Sequence, residues 1–392
     1  MKLKRIVVVG GSIAALTAVE TLRLEGFDGS ITVLSDEKVP PYTRVPLSKS
    51  VLAGLESEDD LTLPAMSDDV DLRLHVRAEG LDVHRRVVHT SAGSIPFDGL
   101  VIATGARART VGHRRGGERV LRDIEHSRSL RADLATASSV LVVGGGFLGM
   151  ETASTCRQLG KDVTVVDREP PLERLLGPLL AARIRDAARK AGVRIRVAAG
   201  DVELVGEKRP SGARIADDEV LEADIVVSAV GDLPNIEWLL GSGLSLNGGV
   251  HVDAYCRARP NIVAAGDVAV QAGPDGLSRR TPSWTNAVEQ ARAAAQALLR
   301  AENAAPYRPS HYYWTEQFGL DVKMVGPPGS NGTPTISEGS LDRPPALLEW
   351  RTSGTAYRVV ALNHAIRAAQ LKRLVPAHHS RSVDVDNIVI VR

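Results

Sequence analysis

Apolar and polar positions fall into blocks at the start of the chain, and these blocks predict a strand, a helix and a second strand. Residues 5–9 (RIVVV) form an apolar run that ends in glycine, and residues 12–26 (SIAALTAVETLRLEG) have the pattern of a helix that Gly26 terminates. Residues 31–34 (ITVL) predict the second strand. The order is that of a βαβ unit of about 30 residues.

The same order of blocks returns later in the chain. Residues 139–143 (SVLVV) run into a glycine-rich turn, a helical stretch follows at 150–160 (METASTCRQLG), and residues 162–167 (DVTVVD) predict a strand. Gly144 follows Gly10 by 134 residues, a spacing far too long for a solenoid repeat. The repeat therefore predicts two nucleotide-binding domains in one polypeptide.

The remaining blocks predict further strands and a domain of different texture. Apolar runs that end near a glycine predict strands at 100–103, 226–230 and 262–265, and residues 284–301 form a long Ala-rich helix. From about residue 310 the pattern alternates between short strands and Gly/Pro turns, with one short helix at 365–374. We expect an α/β protein with two Rossmann-like dinucleotide-binding domains plus a C-terminal α+β domain.

Composition and charge narrow the function classes. The 392 residues exceed one domain, and 48 basic against 47 acidic residues give no electrostatic reason to expect nucleic acid or a charged membrane as partner. The two cysteines, Cys156 and Cys256, stand too far apart along the chain to form a metal-binding or redox motif. The chain shows no signal-peptide pattern and no apolar run of about 20 residues, so we expect a cytoplasmic protein.

The second glycine turn has the chemistry of a dinucleotide site. Gly144, Gly146 and Gly149 have the spacing that allows a tight turn, close approach to a pyrophosphate, and close packing of helix on strand. The following helix offers free N–H groups to the phosphates. Asp167 ends the next strand, where its carboxylate can bind a ribose 2′-hydroxyl and repel a 2′-phosphate. NADH is therefore preferred over NADPH, although the neighbouring Arg168 could accept such a phosphate.

The first glycine turn departs from this pattern. Gly10 is present, but Ser12 and Ala15 replace the second and third glycines. A methyl group at the third position is tolerable, and the Ser12 hydroxyl can donate a hydrogen bond to a phosphate oxygen. Asp36 stands 26 residues after Gly10, in position to hold a ribose. Taken alone, this turn leaves a nucleotide site and a simple packed turn equally open.

The order of motifs resembles the FAD- and NAD(P)H-dependent ferredoxin reductases of cytochrome P-450 and ring-hydroxylating oxygenase systems. These belong to the flavoprotein superfamily with two dinucleotide-binding domains and a glutathione-reductase-like fold. The matching stretches are VVVGGSIAA, PPYTRVPLSKSVLAG, LVIATGARAR, LVVGGGFLGMETA, VSAVGDLPN, AAGDVA, WTNAVEQARAAA and YYWTEQFGLDVKMVG. The resemblance implies a discontinuous FAD-binding domain at 1–108 and 232–305, an NAD(H)-binding domain at 109–231, and a C-terminal domain at 306–392.

The resemblance also implies cofactor contacts, with the first turn on FAD and the second on NADH. The implied cofactor-binding residues are Gly10, Ser12, Ala14, Ala15, Asp36, Glu37, Arg44, Lys49, Ala103, Thr104, Gly105, Arg122, Gly144, Gly146, Phe147, Leu148, Gly149, Glu151, Asp167, Arg168, Val230, Gly231, Gly266, Asp267 and Trp284. Asp267 would accept hydrogen bonds from the ribityl chain. The helix that begins near Trp284 would point its positive end at the flavin.

Lys49 and Glu151 are the implied catalytic pair, a lysine beside the flavin and a glutamate that keeps it charged and oriented. Hydride would pass from NADH to flavin N5, and single electrons would then pass to a [2Fe–2S] ferredoxin. No metal-ligand spacing appears among the ten histidines, which include His378 and His379. Arg292 and Trp314 are the expected ferredoxin-docking residues, and the basic run at 107–115 is a weaker candidate. Monomer and homodimer both remain open.

The sequence bears on three other functions. A disulfide reductase of the same superfamily needs a cysteine pair near the flavin, and residues 40–49 contain no cysteine, so this function is rejected. A flavoprotein that reduces a small molecule or oxygen directly with NADH stays open. So does a protein without enzymatic turnover, in which FAD and NADH control association.

Overall fold

The computed structural model describes residues 3–112, 116–273, 276–329 and 332–375. Numbered in chain order, its strands are β1 (Arg5–Val9), β2 (Ser30–Leu34), β3 (Val70–Arg73), β4 (Ala78–Asp82), β5 (Val87–Thr90), β6 (Gly93–Pro96), β7 (Gly99–Ile102), β8 (Ala106–Ala108), β9 (Ser139–Val143), β10 (Asp162–Asp167), β11 (Arg194–Val197), β12 (Glu203–Val205), β13 (Gly212–Ala216), β14 (Glu219–Glu222), β15 (Ile225–Ser228), β16 (Asp232–Pro234), β17 (Val250–Val252), β18 (Arg257–Arg259), β19 (Ile262–Ala264), β20 (Ala269–Ala272), β21 (Ser278–Arg279), β22 (Tyr312–Gln317), β23 (Leu320–Val325), β24 (Thr335–Gly339), β25 (Ala346–Thr352) and β26 (Thr355–Leu362). The α-helices are α1 (Ile13–Leu24), α2 (Ser50–Ala53), α3 (Ile124–Leu134), α4 (Phe147–Gln158), α5 (Glu173–Leu176), α6 (Pro178–Lys190), α7 (Trp284–Arg300) and α8 (Ala368–Leu374). Short 3-10 helices lie at Val45–Ser48, Asp59–Leu61, Glu237–Leu239 and Ala301–Asn303.

The described residues form two compact units. The first contains the described residues up to Thr43 together with Leu61–Arg107 and Leu233–Pro309. Its main sheet has six strands in the order β18-β19-β7-β1-β2-β3, with β1, β2, β3, β7 and β19 parallel and β18 antiparallel. An antiparallel meander, β4-β5-β6, and a small sheet, β17-β20-β21, complete the unit.

The apolar run of β1 explains why this sheet is covered on both faces. Ile6 and Val8 belong to the core that α1 and α7 cover, whereas Val7 and Val9 belong to the opposite core, with Phe97 of the segment after the meander. Because successive side chains of a strand point to opposite faces, a strand buried on both sides reads as a continuous apolar run. The carboxyl end of β1 then leads directly into the first glycine turn.

The second unit contains Arg44–Asp60, Ala108–Asp232 and the described residues from Ser310 onward. Its parallel sheet has the order β11-β10-β9-β15, and β12-β13-β14 form an antiparallel meander. Val140 and Val142 of β9 lie in the core with α4 and α6, and Leu141 and Val143 lie in the core with the meander. The second unit therefore repeats the strand, glycine turn, helix and meander of the first.

The C-terminal sheet is antiparallel, with the order β22-β23-β26-β25-β24. Val322 and Leu348 on one face share the large core that contains Met150 of α4. Val325 and Val359 on the other face pack with α8. This sheet therefore packs against the parallel sheet and α4 of its own unit through one face.

The expected α/β fold class is confirmed, and most predicted elements lie within a residue or two of their expected bounds. The helix expected at 365–374 begins only at Ala368. Both meanders and the strand β24 were not predicted, because their residues are largely exposed or half-exposed and show weak alternation. Within the described residues, no helix has the length and apolar character needed to cross a membrane.

Candidate functional site

The first glycine turn follows β1 and requires residues without side chains at two successive positions. The Gly10 N–H donates to the Leu34 carbonyl at 2.8 Å, and φ of Gly10 is +131°. A Cβ atom on Gly10 would lie 2.1 Å from the Ala103 oxygen, and one on Gly11 would lie 2.2 Å from the Ser35 Oγ. The chain therefore passes between two neighbouring strand ends as bare backbone.

Ser12 and Ala15 occupy the positions where the usual pattern has glycine. Ser12 is the N-cap of α1, yet its side chain makes no capping hydrogen bond. No described residue accepts or donates a hydrogen bond at this hydroxyl, so it is available to an anion at the helix N-terminus. Ala15 is fully buried in the core beside α7, together with its neighbour Ala14, so this helix leaves room for a methyl group.

The AAGD segment joins the N-terminal ends of α1 and α7. Gly266 has φ of +79°, and a Cβ atom there would lie 3.4 Å from the Ala14 Cβ and 3.6 Å from the Ala287 Cβ. Its N–H donates to the buried Gln290 Oε1 at 2.9 Å. Asp267 follows at once and is half-buried. The backbone that carries it therefore lies next to the first turns of α1 and α7 in the first unit.

The N-terminus of α7 is built as a capped helix start. Ser283 is the N-cap, and its Oγ accepts a hydrogen bond from the Asn286 N–H at 3.1 Å. Trp284 is the first helical residue and is half-buried. The capped start fixes the direction in which the positive end of α7 points.

The strand end at residues 103–105 is held by a distant asparagine. Asn235 Nδ2 donates to the Thr104 carbonyl at 2.9 Å, and the Thr104 hydroxyl donates to the Asn235 carbonyl at 2.8 Å. Gly105 has φ of +61°, and a Cβ there would meet open space. Asn235, the last residue of the motif VGDLPN, therefore holds the turn of the motif ATG in place within the first unit.

The two acidic residues after β2 have partners within the first unit. The Arg77 Nε donates to both carboxylate oxygens of Asp36 at 3.1 Å, and both side chains are exposed. Glu37 accepts a hydrogen bond from the Tyr42 hydroxyl at 2.7 Å. Their expected contact with a ribose remains a prediction.

The second glycine turn follows β9 and, unlike the first, has glycine at all three positions of the dinucleotide-binding pattern. Gly144 has φ of +106°, and its N–H donates to the Val166 carbonyl at 2.8 Å. A Cβ atom on Gly144 would lie 2.3 Å from the Ala229 oxygen, and one on Gly149 would lie 1.9 Å from the Gly144 oxygen. Gly144 is therefore required by the close approach of the segment after β15, and Gly149 by the packing of α4 against the turn.

Asp167 is bound by the backbone of this same turn. Its Oδ2 accepts from the Gly145 N–H and its Oδ1 from the Arg168 N–H, both at 2.6 Å. A Cβ on Gly145 would lie 2.6 Å from the Pro171 Cβ. The Arg168 side chain is 72% exposed and lies 3.6 Å from the exposed Asp201, an ion pair that contributes about 0–1 kcal/mol.

Gly146 provides the test of whether the turn fits a pyrophosphate. It is the N-cap of α4, and a Cβ atom on it would meet nothing within 4 Å. Phe147 and Leu148 follow at the helix start, with Leu148 37% exposed. Val230 and Gly231 lie in the turn that follows the neighbouring strand β15, which ends at Ser228. An open glycine at a helix N-terminus, beside an immobilised carboxylate, is the arrangement that a dinucleotide phosphate needs.

Lys49 and Glu151 form an ion pair inside the second unit. Lys49 Nζ lies 2.9 Å from Glu151 Oε2, with the side chains only 19% and 8% exposed. The Ser48 hydroxyl donates to the same oxygen at 2.8 Å, and the Thr315 hydroxyl donates to Oε1 at 2.6 Å. The structure therefore contains the Lys49–Glu151 ion pair that the resemblance implied, and the role of the pair beside a flavin stays a prediction.

The loop that carries Lys49 is held by buried hydroxyl groups. The Thr155 Oγ1 of α4 donates to the Ser48 carbonyl at 2.7 Å, and the Ser127 Oγ of α3 donates to the Leu47 carbonyl at 3.1 Å. These bonds fix the 3-10 turn at Val45–Ser48, and so they fix the direction from which Lys49 approaches Glu151.

Arg44 and Arg122 lie together at the start of this loop. Arg44 Nη1 donates to the Arg122 carbonyl at 3.1 Å. Asp123, the N-cap of α3, accepts from the His126 N–H at 2.9 Å. Burial works to raise the pKa of the Asp123 carboxyl, but hydrogen bonds from His126 and the charge of Arg44 outweigh it and hold that pKa below its usual value.

The two expected docking residues lie in different units. Arg292 is half-buried on α7 and interacts electrostatically with Glu20 of α1. Trp314 is half-buried on β22, with its ring centroid 5.8 Å from that of Tyr312. His113, Arg114 and Arg115 of the basic run, and the pair His378 and His379, lie outside the described residues.

The cysteines have no place in this chemistry. Cys156 and Cys256 are each fully buried within their own unit. Burial raises the pKa of the Cys156 thiol to about 12 and that of Cys256 further still, so neither is a reactive thiolate. Among the residues that the structure describes, no cluster of His, Cys, Asp or Glu is placed to hold a metal ion.

Comparison with known proteins identifies the family. A family model described as pyridine nucleotide-disulphide oxidoreductase matches residues 4–291. The biphenyl dioxygenase system ferredoxin–NAD(+) reductase component of Paraburkholderia xenovorans (strain LB400) is 32% identical over 388 residues, covering 97% of this chain and 95% of that protein. Rhodocoxin reductase of Rhodococcus erythropolis is 35% identical over 350 residues, covering 86% and 81%.

A solved structure agrees over a similar length. The crystal structure of the covalent putidaredoxin reductase–putidaredoxin complex contains a chain that matches with a TM-score of 0.84 and 27% identity, over 94% of this chain and 91% of that one. The protein therefore belongs to the pyridine nucleotide-disulphide oxidoreductase family. It is an oxidoreductase, and the expected cofactors, FAD and NADH, agree with that family.

Proposed function

We propose that this chain is an FAD-dependent NADH:ferredoxin oxidoreductase that supplies electrons to a [2Fe–2S] ferredoxin serving a cytochrome P-450 or another oxygenase. One NADH and two oxidised ferredoxins would give NAD⁺, one proton and two reduced ferredoxins. The observation that carries the proposal is the presence of two dinucleotide-type glycine turns, at Gly10 and Gly144, each at a helix N-terminus. The relatives named above, ferredoxin reductases over most of this chain, support ferredoxin as the electron acceptor.

The residues of the first unit would hold the ADP half and the ribityl chain of FAD. Ser12 would donate its hydroxyl to a phosphate oxygen, and Asp267 would accept hydrogen bonds from ribityl hydroxyls. The capped N-terminus of α7, with Trp284 at its start, would stabilise negative charge on the flavin through its positive end. Asp36 and Glu37 would bind the adenosine ribose.

In the second unit, Gly146 would let the backbone approach the pyrophosphate of NADH, and Asp167 would accept the ribose 2′-hydroxyl. Bound flavin supplies the chemistry that takes a hydride and releases electrons singly. Lys49 would hold a positive charge beside the flavin, and Glu151 would keep that ammonium group charged and directed. Arg44 and Arg122 would contact the same cofactor.

We also propose a ferredoxin-docking site, a domain division, a cellular location and an oligomeric state. We place ferredoxin docking near Arg292 and Trp314, because a cation and a partly exposed indole suit an acidic protein partner. The division into an FAD-binding domain (1–108 and 232–305), an NAD(H)-binding domain (109–231) and a C-terminal domain (306–392) is kept, as are a cytoplasmic location and a monomeric or homodimeric state.

Anaerobic stopped-flow spectroscopy of the FAD-loaded protein tests the proposal. Mixing with NADH is expected to remove the visible flavin absorbance within one turnover, and NADPH at equal concentration is expected to do so at least about tenfold more slowly. The Lys49→Met variant should retain FAD yet be reduced more slowly. A purified protein that is colourless and takes up no FAD would contradict the proposal.

A further inference from the structure

The ion pair of Lys49 and Glu151 is linked to the C-terminal sheet by Thr315, a residue to which the sequence motifs assigned no role. Thr315 lies on β22, 164 positions after Glu151, and it is 1% exposed. Its hydroxyl lies 2.6 Å from Glu151 Oε1, the oxygen that neither Ser48 nor Lys49 contacts. The two oxygens of the carboxylate are therefore held from opposite sides.

The neighbour Gln317 fixes the direction of the Thr315 proton. Gln317 Nε2 donates to the Thr315 Oγ1 at 2.9 Å. Because this bond uses a lone pair of the hydroxyl, its single hydrogen is left to point at the Glu151 carboxylate. With the amide reversed, the single Thr315 hydrogen would have to serve two acceptors, Gln317 Oε1 and Glu151 Oε1, so the hydrogen-bond network favours the amide orientation in the structure.

The buried Gln317 amide leaves one of its polar atoms without a hydrogen bond among the described residues. Gln317 is 3% exposed, and its Oε1 has no hydrogen-bond partner among the described residues. A buried carbonyl without a donor is unfavourable, and a side chain placed for packing alone would avoid it. The contact with Thr315 is the hydrogen bond that the amide does make within the part of the chain that the structure describes.

We propose that Thr315, oriented by Gln317, is a positioning residue that holds the Glu151 carboxylate and, through it, the Lys49 ammonium group. The C-terminal sheet thereby contributes a side chain to the redox site in addition to any docking surface. Trp314, the adjacent residue of the same strand, projects from the opposite face, because successive side chains of a strand alternate. This inference rests on the proposed role of Lys49 beside the flavin.

The direction of the effect follows from the dipole of the hydroxyl group. The Thr315 O–H presents its positive end to Glu151, so its removal makes the site more negative and disfavours the addition of electrons. Thr315→Val is close to isosteric and keeps a β-branched residue in the strand. It is expected to shift the two-electron reduction equilibrium of bound FAD about tenfold towards the oxidised form, which corresponds to about 30 mV.

A double-mutant cycle on the FAD-loaded protein separates positioning from packing. The flavin midpoint potential is measured by spectroelectrochemistry for Thr315→Val, Glu151→Gln and the double variant, with unfolding followed in parallel. If Thr315 acts through Glu151, Thr315→Val lowers the potential in the native background and has little effect in the Glu151→Gln background. Thr315→Ser, which keeps the hydroxyl, should retain the native potential, and Thr335→Val, at an exposed position of β24, should match the native protein.

The outcomes are distinguishable. If Glu151→Gln and Lys49→Met change the potential but Thr315→Val changes only the unfolding midpoint, the positioning role is wrong and the proposed function stands. Equal effects of Thr315→Val in both backgrounds would also overturn it. If Glu151→Gln and Lys49→Met leave the potential unchanged, the proposed role of the ion pair fails, and this inference fails with it.

Discussion

Two glycines of the second turn should respond in opposite ways to the same added methyl group. An ideal Cβ on Gly149 lies 1.9 Å from the Gly144 oxygen, whereas a Cβ on Gly146 meets nothing within 4 Å. Both residues lie at the start of the same helix, one as its N-cap and one in its first turn. Gly149→Ala is therefore expected to perturb the packing of the protein, whereas the methyl group of Gly146→Ala meets no protein atom and chiefly obstructs a ligand that approaches from outside.

The magnitudes follow from those distances. The Gly149 contact is 1.5 Å shorter than the 3.4 Å at which ordinary contact begins, and the atom it meets is backbone. Relief requires the helix to move, so we expect Gly149→Ala to lower the free energy of unfolding by about 3 kcal/mol, the upper end for overpacking. Gly146→Ala should cost less than about 1 kcal/mol, the loss of a favourable N-cap. It should weaken NADH binding about tenfold or more, because the methyl group occupies the approach of the pyrophosphate.

Chemical denaturation of each variant, together with the NADH dependence of the stopped-flow reduction rate, measures both quantities. Ala15 provides an internal comparison, since the first turn carries alanine at the position that corresponds to Gly149 and buries it fully. The distinct roles of the two glycines are contradicted if Gly146→Ala unfolds as easily as Gly149→Ala. They are equally contradicted if Gly146→Ala binds NADH as tightly as the native protein does.

Three more outcomes follow from single side chains. Asp167→Asn should lower kcat/KM for NADH about tenfold and reduce the preference for NADH over NADPH. Arg168→Ala should leave kcat/KM for NADH nearly unchanged, and a large decrease in that value would mean that Arg168, and not Asp167, determines the cofactor preference. Ser12→Ala should release FAD more readily than the native protein in a fluorescence assay, because it removes a hydroxyl with no other partner among the described residues; equal affinity would mean that the hydroxyl is only tolerated. Cys156 should react with a thiol reagent at pH 8 only as fast as the protein unfolds, since burial raises its pKa to about 12, and rapid labelling of the native protein would contradict that burial.

The glycine turns and their strands were predictable because their signal is local. A strand of a parallel sheet that is buried on both faces has a continuous apolar sequence. The turn after it needs glycine where φ is positive, so a window of about ten residues is enough to identify Gly10 and Gly144. Gly11 and Gly145 were missed. They stand at variable positions of the pattern, and their need for glycine comes from Ser35 and Pro171, on the far side of the turn.

The contacts that complete the sites join residues far apart in sequence. Gln290 holds the Gly266 N–H from the second turn of α7, and Asn235 locks Thr104 across 131 positions. A single buried Gln, Asn or Thr belongs to no repeating sequence pattern, so the sequence alone does not indicate which distant residue it hydrogen-bonds. The pairing of Lys49 with Glu151 was predictable through the family resemblance, but the part of Thr315 in it was visible only once the strand order of the C-terminal sheet placed β22 beside α4.

The central claim is that electrons pass from NADH to a [2Fe–2S] ferredoxin and not directly to a small molecule. The most direct measurement is the rate of cytochrome c reduction by the FAD-loaded protein with NADH, in the absence and presence of added [2Fe–2S] ferredoxin. We expect a low rate without ferredoxin and a rate that rises and saturates as ferredoxin is added. Two results would contradict ferredoxin as the electron acceptor. One is an equally fast rate without ferredoxin. The other is rapid oxidation of NADH by oxygen together with no increase in the cytochrome c rate for any ferredoxin tested.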